Sequence, residues 1–151
     1  MANIPFSPPD ITEAEINEVC EALRSGWITT GPRTKEFERR IAEYCGTEKA
    51  VCLNSATAAL ELNLRILGIG EGDEVIVPAY TYTASASAAI HVGAKVIFID
   101  SKPDSFEMDY SKLANAITEN TKAIIPVDIA GKMCDYNSIY EIVESKKELF
   151  K

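Results

Sequence analysis

The sequence predicts an α/β protein, a three-layer α/β/α fold whose mainly parallel sheet carries helices on both faces. Short, nearly continuous apolar runs, typical of strands buried on both faces, occur at 49–53, 74–77, 95–99 and 122–127. Segments typical of helices alternate with them, at 56–67, 83–92, 110–117 and 138–144. Because the chain has 151 residues and no linker or low-complexity tract, we expect one domain without an internal boundary.

Two amphipathic surface helices are predicted ahead of the first strand. The first follows Thr12, which can form a capping box with Glu15, and it ends at Gly26. The second spans 34–45 and stops at Gly46, because a glycine readily adopts the left-handed conformation that ends many helices.

Composition narrows the function classes. A formal net charge of −8, without a basic run, disfavours nucleic acid as a partner and favours a small molecule. The sequence contains no apolar stretch of about 18 residues and no basic and apolar leader at its start, which predicts a cytoplasmic protein without a membrane span.

The cysteines and the single histidine are weak candidates for metal or redox chemistry. Cys20, Cys45, Cys52 and Cys134 show no Cys-x-x-Cys spacing, which argues against a zinc site and a disulfide framework and predicts buried thiols. His91 precedes a glycine near the end of a predicted helix, a position that requires no catalytic role.

The segment 53–60 joins a predicted strand to a predicted helix through small residues. The free amides of the helix N-terminus and the hydroxyls of Ser55 and Thr57 converge there, an arrangement that suits a phosphate group. Simple capping of the helix by Ser55 explains the pattern equally well.

Tyr82 lies in the segment 77–85, which leaves the carboxyl end of another predicted strand. An aromatic ring at that edge can stack on a flat heterocycle. The residue pattern alone, however, favours packing of Tyr80 and Tyr82 against the sheet.

The only tryptophan, Trp27, lies in a Gly/Pro/Thr-rich loop over 25–32. Such a residue can anchor a ligand or a partner chain, or it can cover the core, and the sequence does not separate these alternatives.

Taken together in order, these segments resemble the DegT/DnrJ/EryC1/StrS family of sugar aminotransferases. The resemblance rests on five segments, Gly26 to Pro32, Ser55 to Leu60, Gly72 to Thr81, Gly93 to Asp100 and Ile125 to Gly131. It implies part of the large domain of a fold-type-I pyridoxal-phosphate enzyme, working as a homodimer. The full-length enzyme would transfer an amino group, with glutamate as the expected donor, to a keto-sugar nucleotide.

The resemblance also assigns roles to residues. Ala56 and Thr57 match positions that hold the cofactor phosphate, and Tyr82 matches the aromatic residue that stacks on the pyridine ring. The entry segment near the sugar site corresponds to Trp27, Thr30 and Gly31. Asp128 departs from the family pattern, since many members have His there.

The family's Schiff-base lysine and the acid that holds the pyridine nitrogen lie beyond the matched segments. The 151 residues alone are therefore expected to be inactive, and Lys132 is expected to face solvent. Two alternatives stay open, namely a non-catalytic binding module with a phosphate pocket and a family dehydratase that uses the same cofactor without the lysine.

The family strand order, 3-2-4-5-6-7-1, raises a question of pairing. Strands 2, 3 and 4 can be neighbours in this chain, but strand 1, at 49–53, would lack its neighbour. We therefore expect either a different pairing of that strand or completion of the sheet in an oligomer.

Overall fold

A computed structural model describes residues 5 and 8–149. Six α-helices and three strands are found in this part of the chain. In chain order they are α1 (Glu13–Arg24), α2 (Pro32–Cys45), α3 (Ala56–Ile66), β1 (Glu74–Pro78), α4 (Ala84–His91), β2 (Lys95–Ile99), α5 (Tyr110–Ala116), β3 (Thr121–Ile124) and α6 (Tyr136–Ser145). Short 3-10 helices occur at Ile129–Gly131 and Lys147–Leu149.

The chain forms two compact units, residues 1–52 and 53–151, where the sequence predicts no boundary. The division into two units arises because all three strands of the described sheet belong to the carboxyl-terminal unit, and the described residues of the amino-terminal unit contribute none. In that unit the predicted capping box is present, since Glu15 Oε2 accepts from the Thr12 amide at 2.6 Å. The α2 helix ends as predicted at Gly46, which has φ of 66°.

The sheet has the order β2-β1-β3, and both pairings are parallel. This agrees with the neighbours expected from the family strand order. The strand predicted at 49–53 is wrong, because the run pairs with none of the three strands. An apolar run becomes a strand only when a neighbour satisfies its backbone groups, and here the Cys52 amide instead donates to the Glu38 carboxylate at 2.8 Å.

Helices cover both faces of the sheet and confirm the three-layer prediction. On one face Ile76 packs in a cluster with residues of α5 and α6, among them Leu113 and Ile139. On the other face Val75 and Val77 pack with α3 and α4. Alternate residues of β1 thus supply two separate cores, which explains why the strand is apolar without interruption.

The prediction that the cysteine thiols are buried is confirmed for Cys134 and wrong for Cys45. Cys134 is buried, Cys20 and Cys52 are half-buried, and Cys45 is exposed because it lies in the last turn of a surface helix. His91 ends α4 as predicted, with Nδ1 3.2 Å from Glu61 Oε2. In the part of the chain that is described, every helix is too short or too polar to cross a membrane.

Candidate functional site

The order of the strands predicts a ligand crevice at the carboxyl ends of β1 and β3, two neighbouring strands that are not consecutive in the chain. From β1 the chain passes through α4 to β2 on one side, and it then returns through α5 to β3 on the other side. In parallel α/β sheets, ligands bind outside the carboxyl ends of two neighbouring strands whose connections diverge in this way. The pairing continues to this edge, since the Ile125 amide donates to the Ile76 carbonyl at 2.8 Å.

The N-terminus of α3 has two amides available to an anion. Ser55 caps the helix, and its Oγ accepts from the Ala58 amide at 3.1 Å. The amides of Ala56 and Thr57 come first in the helix, so they have no partner inside it. No acceptor for them, or for the Thr57 hydroxyl, occurs among the described residues. Ser55 is therefore the cap, while its two neighbours form a cradle at the positive end of the helix dipole.

The packing of α3 against α4 leads us to expect the cradle on the same side of the carboxyl-terminal unit as the crevice. The α3 helix packs against α4, and Arg65 near its end donates to the His91 carbonyl at 3.2 Å. Leu60 in the first half of α3 and Ala86 near the start of α4 pack on the same core cluster. We therefore expect the N-terminal ends of both helices to lie towards the same edge of the sheet. The N-terminus of α4 follows the carboxyl end of β1 after only five residues.

Tyr82 lies in the connection from β1 to α4, and its side chain is free to stack on a ligand. It is 80% exposed, so it is not the packing residue that the pattern favours. Tyr80 forms the aromatic contact instead, with its ring centroid 4.9 Å from that of Phe106. Thr81 lies between the two tyrosines, and its hydroxyl forms a hydrogen bond of 2.8 Å with that of Ser85. This bond ties the segment that carries the tyrosines to the first turn of α4.

Trp27, Thr30 and Gly31 come together in one loop of the amino-terminal unit. The Trp27 Nε1 group donates to the Thr30 carbonyl at 3.1 Å. The indole lies so close to Gly31 that a Cβ atom there would be 2.1 Å from Nε1. The structure thus joins these three residues to one another, whereas Ser55, Ala56, Thr57 and Tyr82 belong to the other unit.

Asp128 departs from the family pattern, and the sequence assigned no role to it. It follows β3 at the crevice edge, and its Oδ1 accepts from the Cys134 amide at 2.8 Å. The Tyr136 hydroxyl lies 3.1 Å from both carboxylate oxygens. These bonds, first of all that from the Cys134 amide, hold the pKa of Asp128 below its ordinary value. The signals in the sequence were its place just after a predicted strand and its departure from the family pattern.

Comparison with known proteins decides the family. The model of the DegT/DnrJ/EryC1/StrS aminotransferase family matches residues 9–149. The chain belongs to the DegT/DnrJ/EryC1/StrS aminotransferase family. Its fold agrees with solved members, for it superposes on Spr1654 from Streptococcus pneumoniae, described as a sugar aminotransferase, with a TM-score of 0.93. The two chains are 64% identical, and the match covers 99% of this chain and 38% of that one.

Other members of the DegT/DnrJ/EryC1/StrS family show the same partial coverage. The spore coat polysaccharide biosynthesis protein SpsC of Bacillus subtilis is 42% identical over 142 residues, 94% of this chain and 36% of SpsC. The UDP-4-amino-4-deoxy-L-arabinose–oxoglutarate aminotransferase of Shewanella sediminis is 44% identical over 144 residues, 95% of this chain and 37% of that enzyme. The chain thus spans little more than a third of the length of these relatives.

Structures of the relatives contain a cofactor. Spr1654 is known in apo, PLP and PMP forms. NtdA from Bacillus subtilis, 35% identical with a TM-score of 0.85, was solved with bound PMP, and the match covers 97% of this chain and 35% of NtdA.

Proposed function

We propose that the chain is the amino-terminal portion of a pyridoxal-phosphate-dependent aminotransferase that acts on a nucleotide-linked keto-sugar, with glutamate as the amino donor. The observation that carries the proposal is the pair of open amides at Ala56 and Thr57 beside the crevice edge. The Shewanella relative supports the substrate class, because its name couples a UDP-linked amino sugar to oxoglutarate, the keto acid that glutamate becomes on losing its amino group.

The residues of the carboxyl-terminal unit fit the cofactor. Ala56 and Thr57 would hold its phosphate through two amides and one hydroxyl, and Ser55 would keep the helix N-terminus in place. Tyr82 would offer its exposed ring as a stacking surface. When bound, pyridoxal phosphate supplies the carbonyl group that accepts the amino group and a ring that withdraws electrons.

The lysines near the crevice edge are engaged elsewhere, which supports the proposal that these residues alone bind the cofactor without turning over substrate. Lys132 faces solvent and lies 3.2 Å from Glu107 Oε1. Lys102 lies over the Tyr110 ring, 4.3 Å from its centroid. A cytoplasmic location and a homodimeric assembly stay predictions from the sequence and the family resemblance.

The phosphate cradle is tested by comparing pyridoxal phosphate with pyridoxal in absorbance and fluorescence titrations. We expect the phosphate ester to bind at least about tenfold more tightly, as the loss of one charge-assisted hydrogen bond already corresponds to such a change. Thr57→Val should reduce this preference, because it removes one donor and keeps the shape of the side chain.

The matched control is Thr34→Val, the same change in the first turn of α2, which should leave both affinities unchanged. Equal binding of pyridoxal and pyridoxal phosphate would refute the cradle. Amino transfer itself is measured on the protein as its gene encodes it, by following conversion of the bound cofactor when glutamate is added. Absence of conversion with glutamate would refute the donor assignment.

A further inference from the structure

Two loops leave the carboxyl edge of the sheet and are tied to each other. One follows β2 and spans 100–109, and the other follows β3 and spans 125–135. Glu107 joins them, because its Oε2 lies 3.6 Å from Lys102 Nζ and its Oε1 lies 3.2 Å from Lys132 Nζ. We call the second of these segments the β3 loop.

The β3 loop is also attached to the start of α5. The Asp135 amide donates to the Tyr110 hydroxyl at 3.0 Å, and Tyr110 is a buried member of the core. The far end of the β3 loop is thereby fixed to the packed part of the unit. Its near end is the continuation of β3, which is paired to β1 through Ile125.

Asp128 connects these two ends of the β3 loop. Its carboxylate receives the Cys134 amide and the Tyr136 hydroxyl, and the Cys134 thiol donates to the Val127 carbonyl at 3.2 Å. Ala130, in the turn between them, has φ of 51°, a left-handed conformation that a non-glycine residue adopts only when its surroundings hold it. The closed loop therefore depends on the bonds at its base.

We propose that Asp128 is a positioning residue of the crevice, which holds the β3 loop in the shape that a flat ligand stacked on Tyr82 requires. The inference rests on the proposed function, because it assumes that the ligand lies between the carboxyl ends of β1 and β3. Both oxygens of Asp128 are already bonded, to the Cys134 amide in the β3 loop and to the Tyr136 hydroxyl at the start of α6, so the residue acts through the backbone that it holds.

The experiment compares four variants of the protein as its gene encodes it. Asp128→Ala removes all the bonds of the carboxylate, and Asp128→Asn keeps an acceptor for the Cys134 amide. Tyr136→Phe removes only the hydroxyl bonds and creates no cavity. Tyr140→Phe is the matched control, on the same helix and without a hydrogen bond of its hydroxyl among the described residues.

Three measurements separate positioning from general structural damage. In the absence of cofactor, amide exchange over 129–135 should accelerate about tenfold or more in Asp128→Ala, and to a smaller extent in Tyr136→Phe. With cofactor, the visible circular dichroism of the bound ring should weaken in the same two variants. The ability of inorganic phosphate to displace pyridoxal phosphate should change less than about twofold, because the cradle on α3 is separate.

Recovery of the wild-type values by Asp128→Asn, and no change in Tyr140→Phe, completes the expected result. The inference is overturned if the ring signal of Asp128→Ala and Tyr136→Phe equals that of the wild type. It is also overturned if phosphate and ring binding fall together. Failure of the wild-type protein to prefer pyridoxal phosphate over pyridoxal would instead refute the proposed function.

Discussion

At the scale of single residues, the roles of the residues at the start of α3 follow from which backbone amides already have an acceptor. A serine cap satisfies one amide with its own oxygen, and Ser55 satisfies that of Ala58. The two amides before it stay open, and these belong to Ala56 and Thr57. A cap of this kind therefore supports an anion site, and capping and phosphate binding, which the sequence leaves as alternatives, are compatible.

Gly31 provides a prediction at the scale of single residues. In Gly31→Ala the new Cβ would lie 2.1 Å from Trp27 Nε1, so the indole must leave the loop and its bond to the Thr30 carbonyl must break. Because Trp27 is the only tryptophan in the chain, its fluorescence reports this change directly. We expect a shift of the emission maximum to longer wavelength and stronger quenching by iodide.

The matched control is Gly70→Ala, since the nearest atom to a Cβ at that position is a carbonyl oxygen at 3.5 Å, an ordinary contact. Its emission should equal that of the wild type. An unchanged emission spectrum in Gly31→Ala would mean that the indole does not rest on the glycine.

The sequence predicted where individual residues lie in the fold better than it predicted what their side chains contact. The residue pattern located Tyr82 at the edge of the sheet but favoured packing, whereas the family resemblance implied stacking on the cofactor. A pattern of residues does not show which of two nearby tyrosines meets an aromatic partner. The partner of Tyr80 is Phe106, which comes from a different loop. Asp128 was noted only as a departure from the family pattern and received no role, because its bonds come from residues six and eight positions later in the chain.

At the scale of elements, Glu74 joins the amino ends of the sheet. Its side chain is only 9% exposed, and its Oε1 accepts from Lys95 Nζ at 2.8 Å. Its Oε2 accepts from the Thr118 hydroxyl at 2.6 Å, in the turn that precedes β3. One carboxylate at the start of β1 thus contacts the first residue of β2 and the turn that leads into β3.

Glu74→Gln should therefore destabilise the carboxyl-terminal unit. Hydrogen bonds to a charged group contribute about 1.5–3 kcal/mol each, and the substitution weakens two of them, so we expect a loss of about 1–3 kcal/mol in the free energy of unfolding. The measurement is urea unfolding at pH 7. Glu43→Gln is the control, because its pair with Arg39 is exposed on α2 and should contribute less than about 1 kcal/mol.

The same residue predicts the sign of a pH effect. The bond from Lys95, followed by that from Thr118, holds the pKa of Glu74 below its ordinary value of 4.5. A group with a lowered folded-state pKa stabilises the fold above its unfolded-state pKa, and this contribution is lost as the pH falls through the folded-state pKa. Below pH 4.5 the stability of the wild type should approach that of Glu74→Gln. A constant difference between them down to the acid transition would contradict this role.

Element boundaries could be predicted where a local signal sets them and could not where pairing sets them. Thr12, Gly46 and Gly93 mark helix ends that the sequence predicts closely. The β3 strand ends at Ile124, before the predicted 127. The ladder bond that would follow the one from the Ile125 amide requires an amide at position 78 of β1, and Pro78 has none. The strand predicted at 49–53 was wrong for a non-local reason, because a strand forms only where a neighbouring strand pairs with it.

At the scale of the whole molecule, the strand order favours association of the chain with other copies, and the net charge opposes it. The order β2-β1-β3 leaves β2 and β3 as edges of the described sheet. Beside β3 lies an apolar groove with Ile124, Tyr140 and Val143 in its lining. Open edges and apolar grooves promote association, whereas a net charge of −8 opposes it at pH 7.

The 151-residue chain should therefore associate increasingly as the pH falls from 7 towards its isoelectric point near 4.7, since repulsion declines while the apolar surface stays the same. Sedimentation velocity at constant ionic strength measures the effect. Tyr140→Lys places a charge in the groove and should suppress association at pH 5.5. Tyr44→Lys makes the same change on α2, where the side chain is 89% exposed, and should suppress it much less. Both variants lower the net negative charge by one, so any difference between them reports the groove. Equal association of the two variants would show that the groove beside β3 does not control association.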